Sequence, residues 1–194
     1  MKMFLTCILL LMASGLPQEE VVSSGKMLIV YVSRTNNTKV LAEMIQNEVG
    51  GNLMELELVT PYPDNYLDMV RQVSEENTTG FLPPLKDHPD IDDYNLIFIG
   101  FPTWDMQMPP PMKSFLQHNA FEGKTLVPFN THGGYGVGSG FNTVRSLCPR
   151  STVLEGYSVK GGLEKEGVYL AIEGERKEEV RREIKIWLGQ LKLK

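Results

Sequence analysis

The stretch Leu28-Ile29-Val30-Tyr31-Val32, followed without a break by Ser33-Arg34-Thr35-Asn36-Asn37-Thr38, decides how the rest of the chain is read. Its first half is apolar and largely β-branched at every position, as in a strand covered on both faces. Its second half is entirely polar, and a helix begins at once: Val40, Leu41, Met44, Ile45 and Val49 recur at helical spacing until Gly50-Gly51 ends it. A doubly covered strand feeding a helix is the opening of a βαβ unit, which implies a parallel sheet between layers of helices.

Toward the carboxyl end the alternation repeats. A second strand lies within Asn52 to Val59, and a helix within Asn65 to Glu76 follows the turn Pro61-Tyr62-Pro63-Asp64. The third strand is Leu96-Ile97-Phe98-Ile99-Gly100, reached through a long Pro-rich loop, and Met112, Phe115 and Leu116 mark a short helix after it. The fourth strand covers Thr125 to Asn130, although Pro128 cannot donate to a ladder. Phe141 to Cys148 reads as a helix, Thr152 to Val159 as a fifth strand, and Val180, Ile184, Trp187, Leu188 and Leu191 as an amphipathic last helix. Residues 160–173 stay open, with Val168-Tyr169-Leu170-Ala171-Ile172 as a candidate extra strand. The expected architecture is α/β: an open doubly wound parallel sheet of five strands in a three-layer α/β/α domain over residues 26–194.

Toward the amino end, Lys2 precedes the apolar run from Met3 to Met12, then Ala13-Ser14-Gly15 and a polar stretch from Gln18 to Gly25. This order reads as a secretory signal peptide and linker over residues 1–25, hence an exported protein, periplasmic or extracellular. The alternative is a cytoplasmic chain starting at Met27. The apolar run falls short of the roughly 20 residues a membrane span needs, so no span is expected in the mature chain.

Composition narrows the function. With 194 residues and 42% hydrophobic content the chain supports one sizeable core. Its 19 basic against 24 acidic residues give a net charge of -5, which leaves no surplus to neutralise a polyanion and argues against nucleic acid as partner. Cys7 and Cys148 cannot build a disulfide framework, and no Cys/His cluster offers metal ligands.

Ligands of open α/β sheets bind beyond the carboxyl ends of the strands, so three loops are read for chemistry. Ser33-Arg34-Thr35-Asn36-Asn37-Thr38 brings three hydroxyls, two amides and free backbone N–H groups to a helix N-terminus, which suits a phosphate monoester without a cation. An ordinary strand-to-helix turn capped by Asn37 or Thr38 is the other reading. Neither a P-loop nor a Gly-x-Gly-x-x-Gly fingerprint is present. Pro102-Thr103-Trp104-Asp105 places an indole where it can stack on a planar heterocycle or simply cover the core. Thr131-His132-Gly133-Gly134-Tyr135-Gly136-Val137-Gly138 is dense in glycine, so backbone can approach a flat ligand. His132 has no carboxylate beside it in the sequence and reads as a structural histidine rather than a base.

These loops in this order resemble the flavodoxin family, in particular its bacterial branch with a Pro-Phe-x-Thr-His-Gly-Gly segment, here Pro128 to Gly134. The resemblance extends to Pro61-Tyr62-Pro63 with Tyr66, to the strand and loop from Tyr94 to Pro102, and to Phe121-Glu122-Gly123-Lys124-Thr125, and covers roughly residues 27–160. It implies a flavodoxin-like fold and non-covalent flavin mononucleotide (FMN). The phosphate would sit in the loop from Ser33 to Thr38, held by the Ser33, Thr35 and Thr38 hydroxyls, the Asn37 amide and backbone N–H groups. The ring would lie between Pro102–Asp105, with Trp104 against it, and Thr131–Gly138. Where the family usually has glycine this chain has Asn36, which tolerates left-handed backbone. Asp105 stands where the branch often has a second aromatic; a carboxylate there would disfavour an anionic reduced flavin and lower its potential.

The implied function is electron transfer or oxidoreduction through FMN, with redox partner proteins or a small-molecule electron acceptor as partners. The alternative is a binding or regulatory domain of the same fold that has lost redox function.

Overall fold

The opening strand forms as β1 (Lys26–Tyr31) and leads into α1 (Asn37–Val49), β2 (Asn52–Glu55), α2 (Tyr66–Thr79), β3 (Tyr94–Pro102), α3 (Pro110–His118), β4 (Thr125–His132) and α4 (Gly140–Leu147). The chain ends with β5 (Thr152–Val153), β6 (Tyr157–Lys160) and α5 (Gly174–Gln190). The computed structural model describes residues 26–191 and 193, so the signal-and-linker reading of residues 1–25 lies outside the described residues. The sheet order is β2-β1-β3-β4-β5, with β6 also on β4 and every pairing parallel. This is the open doubly wound arrangement that the alternation and the resemblance led us to expect.

Side chains along each strand alternate between two cores. Leu28, Val30, Ile97, Ile99 and Phe101 face Met112, Phe115 and Leu116 of α3 and Val144 of α4. Ile29, Tyr31, Phe98, Val127 and Phe129 face Leu41, Ala42 and Ile45 of α1 and Val180, Ile184 and Trp187 of α5. Cys148 is buried in the first core, and burial pushes its thiol up to about 11, so it packs as a small apolar group.

Two expectations are corrected. The fifth strand is interrupted: Leu126 pairs with Val153 but Phe129 with Tyr157, so one extra residue bulges out between β5 and β6. This interruption explains Pro128. Lys124 and Leu126 turn their carbonyls to Thr152 and Leu154, so Pro128, of the same parity, turns its missing N–H to the same side, at the break in the ladder. Secondly, Val168 to Ile172 forms no strand. Residues 160–173 instead carry a 3-10 turn at Glu164–Glu166, closed by a bridge between Leu163 and Val168. Among the described residues no helix is long and apolar enough to cross a membrane.

Candidate functional site

The carboxyl ends of β1, β3, β4 and β6 open into a cavity of about 280 Å³. One end is polar. Asn36, at φ 63°, turns the chain from β1 into α1 without a side-chain cap of its own, and no side chain accepts from the first two N–H groups of the helix, those of Asn37 and Thr38. A left-handed residue before a helix N-terminus forms an anion-receptive concavity. Arg34, Thr35, Asn37 and Thr38 line this end. The Thr38 and Thr131 hydroxyls share a buried hydrogen bond of 2.8 Å, while Ser33 lies just outside the lining and its Oγ accepts from the Lys39 N–H at 3.3 Å.

Two polar side chains of this loop are committed to structure. Arg34 binds Glu164 through Nε and Nη2 and donates to the backbone carbonyls of Pro63 and Asp64, tying three loops together. Its positive charge is thereby matched, so the phosphate-sized end has no free cation on this loop. Asn37, whose amide was expected to hold a phosphate, donates instead to Thr35 and to the Tyr169 carbonyl, and accepts from the Ala171 and Ile172 N–H groups. It shapes the site by pinning the segment after β6 and can offer a ligand its backbone N–H.

The other end is aromatic and apolar. Pro102, Thr103, Trp104 and Asp105 form one wall. Trp104 and Gln107 exchange both backbone hydrogen bonds around Asp105 and Met106, which stand at φ 50° and φ 54°. Positive φ at both central positions is the type I′ pattern; Asp suits the first, but Met106 stands at the second, where glycine is usual, so the turn is strained there. It is braced by the glycine-rich loop: the Ser139 N–H donates to the Met106 carbonyl, and a Cβ on Gly138 would lie 2.0 Å from that oxygen. The Thr103 hydroxyl donates to the Gly136 carbonyl at 2.9 Å. Asp105 accepts a long contact from Asn77, which in turn accepts from Lys113, an ammonium held below its usual range by burial.

Thr131, His132 and Gly133 line the cavity, whereas Gly134, Tyr135, Gly136 and Gly138, like Ser33 and Asn36, support it from outside. His132 Nδ1 accepts from the Gly134 N–H at 3.0 Å, and burial and nearby Lys160 hold its imidazole below the ordinary histidine range, which fits the structural reading. Tyr135 is exposed and accepts from Lys165 at 3.0 Å.

Two walls were not anticipated. Tyr66, Met69, Val70 and Val73 of α2 close the apolar side, and Gly161, Gly162, Leu163 and Glu164 close the remainder. The segment after β6 is folded tightly enough that a Cβ on Gly162 would meet the Tyr169 carbonyl oxygen at 2.0 Å. A signal for it existed, since it follows a strand on the same side of the sheet as the other three loops.

The flavodoxin family's sequence profile matches residues 26–174. Among solved structures, a protein of Bacteroides eggerthii provisionally described as a flavoprotein is similar over 88% of this chain and 99% of its own, with 25% identity and a TM-score of 0.71. One of Bacteroides uniformis, described in the same way, has 25% identity and a TM-score of 0.68 over 83% of this chain and 98% of its own. A flavoprotein of Lactobacillus acidophilus solved in complex with FMN shares the fold at 22% identity and a TM-score of 0.60, over 71% of this chain and 93% of its own. No curated protein sequence matches. The profile match takes in every strand of the sheet and all four cavity walls, and on it the chain belongs to the flavodoxin family.

Proposed function

We propose that the protein binds FMN non-covalently in this cavity and uses it to transfer electrons. The observation that carries the reading is the polarity of the cavity along its length. A helix N-terminus whose Asn37 and Thr38 N–H groups no side chain takes stands with the Thr35 and Thr38 hydroxyls at one end, and Trp104 with Met69, Val70 and Val73 at the other. A ligand matching both ends is an amphiphile with an anionic head and a flat apolar body, which FMN is. The polar end suits a phosphate because backbone N–H groups and hydroxyls bind it without reorganising, and Arg34 stays with Glu164. When bound, FMN supplies the electron chemistry; the chain supplies position, hydrogen bonds and exclusion of water.

Partners are redox proteins or a small-molecule acceptor. The segments that wall the cavity also expose Leu67, Val70, Met106 and Tyr135 beside Asp64, Asp105 and Glu166, so whatever receives the electrons meets a surface both apolar and acidic. Export remains our reading of residues 1–25 from their sequence pattern, and recovery of a chain lacking them from outside the cytoplasm is its test.

The deciding experiment is titration of flavin-free protein with FMN and with riboflavin. FMN is expected to bind at micromolar concentration or tighter and to be reducible in the complex, with riboflavin at least about tenfold weaker for lack of the phosphate. Folded protein that takes up neither flavin would leave the fold without this function.

A further inference from the structure

Among the described residues Glu76 is the one acidic or basic side chain in the buried class, at 5% exposure, and it sits on α2, away from the phosphate-sized end. A carboxylate this deep is costly unless its oxygens are paired. One oxygen accepts from the Tyr62 hydroxyl and the other from Gln72 Nε2 at 2.9 Å. Burial and the carboxylate together hold the Tyr62 phenol far above its ordinary range, so it keeps its proton and remains the donor. The Tyr62 ring then meets Trp104 edge-on, with centroids 5.5 Å apart and planes at 87°. Carboxylate, hydroxyl, phenol ring and indole form one chain of contacts running from α2 to the cavity wall.

The indole needs such a chain. Trp104 separates the cavity described above from a second one of about 310 Å³, bounded by Val32, Leu56, Pro61 and Tyr62 among others. Trp104 packs against the first core on part of its surface, but open volume on two sides leaves the rest of the ring without packing partners, and the Trp104–Gln107 backbone bonds fix only its Cα. An edge-to-face partner whose own position is set by a half-buried hydrogen bond to the buried Glu76 removes that freedom.

We propose that Tyr62 and Glu76 are positioning residues for Trp104, setting the orientation in which the indole borders the cavity. The consequence for cofactor affinity rests on the FMN reading above; the consequence for the indole does not.

The test uses the full chain with Tyr62→Phe, Glu76→Gln and Glu76→Ala. The Trp104 contribution to near-UV circular dichroism is identified by difference from Trp104→Phe, since Trp187 also contributes. In flavin-free protein, Tyr62→Phe and Glu76→Ala are expected to lose at least about half of that contribution, as a ring that can reorient loses its chiral fixed environment. The same two variants should bind FMN about tenfold more weakly. Glu76→Gln, whose amide oxygen still accepts from the Tyr62 hydroxyl, should keep the signal and stay within about threefold of wild-type affinity. Tyr62→Phe removes a single oxygen, and its far-UV spectrum checks that the fold is intact. An unchanged Trp104 signal in folded Tyr62→Phe overturns the proposal, as does Glu76→Gln failing as badly as Glu76→Ala. A lost signal with full FMN affinity overturns the claim that the orientation serves the cofactor. Should wild-type protein bind no FMN at all, the functional reading falls, while the dichroism comparison still decides the role of Tyr62.

Discussion

The two ends of the cavity are held by opposite means. At the polar end Arg34 and Asn37 reach across to backbone: Arg34 to the carbonyls of Pro63 and Asp64, Asn37 to Tyr169, Ala171 and Ile172. Those bonds lock three separate loops and are part of what holds the domain together. At the aromatic end, Asp105 and Met106 occupy left-handed backbone that Asp tolerates but Met does not favour, and a close fit to Gly138 keeps them there. The first end adds stability and the second draws on it. Damage at the polar end should therefore appear in folding even without cofactor, whereas damage at the aromatic end should appear chiefly in binding.

The largest effect is expected from Arg34→Met. The Arg34–Glu164 pair has side-chain exposures of only 17% and 12%, so removing the guanidinium strands a carboxylate and frees two backbone carbonyls. Breaking a pair this buried costs about 3 kcal/mol, at the lower end of the range because some solvent reaches it. Urea unfolding of the flavin-free protein measures it. Adding Glu164→Gln to the variant should recover part of the loss, since the stranded charge is then gone. A loss under about 1 kcal/mol would mean that the polar end is not a structural element and would break the contrast.

Gly138→Ala probes the other end. A methyl group there would stand 2.0 Å from the Met106 carbonyl oxygen at a backbone φ of 56°, so the turn carrying Trp104 must move. FMN affinity is expected to fall at least about tenfold for a cost in unfolding free energy of about 1–2 kcal/mol. A variant with undiminished affinity would show that the turn does not touch the ligand.

The same contrast explains what could be read in advance. The polar end lies in one contiguous stretch, Leu28 to Thr38, where an apolar run meets a helix start, and short-range patterning exposes both. The α2 wall was hidden because Met69, Val70 and Val73 form the apolar stripe of any amphipathic helix, and nothing local says whether the stripe faces a sheet or a cavity. Gly161 to Glu164 was hidden by the bulge between β5 and β6, which obscured where the fifth strand ends and so which loop lies at its carboxyl end. The side-chain partners of Asn37 could not be read locally either: its bonds to Tyr169, Ala171 and Ile172 run to residues 132 to 135 positions away in sequence. Pro128 shows the reverse case, a residue awkward by propensity whose missing donor is harmless because the ladder is broken at that point.

The smallest expected effect belongs to His132, which stands where the two ends meet, one residue after the Thr131 hydroxyl that pairs with Thr38. Its Nδ1 accepts from the Gly134 N–H, so adding a proton to that nitrogen would set a donor against a donor. Burial, with Lys160 nearby, lowers its folded-state pKa below the unfolded value of about 6.5. Between those two values the unfolded chain holds more protons than the folded one, so stability rises with pH across the window. The contribution is complete above the window and is lost as the pH falls through it. An imidazole titration followed by NMR should give a midpoint below about 6.5 for His132. In His132→Asn, whose side-chain oxygen can accept the same N–H, this part of the pH dependence of unfolding below the unfolded value of about 6.5 should vanish. A midpoint at or above the unfolded value would mean that the ring faces the cavity as a cation. His132 would then belong with the groups that receive an anion rather than with those that brace the glycine-rich loop, and the division between the two ends would have to be redrawn at this residue.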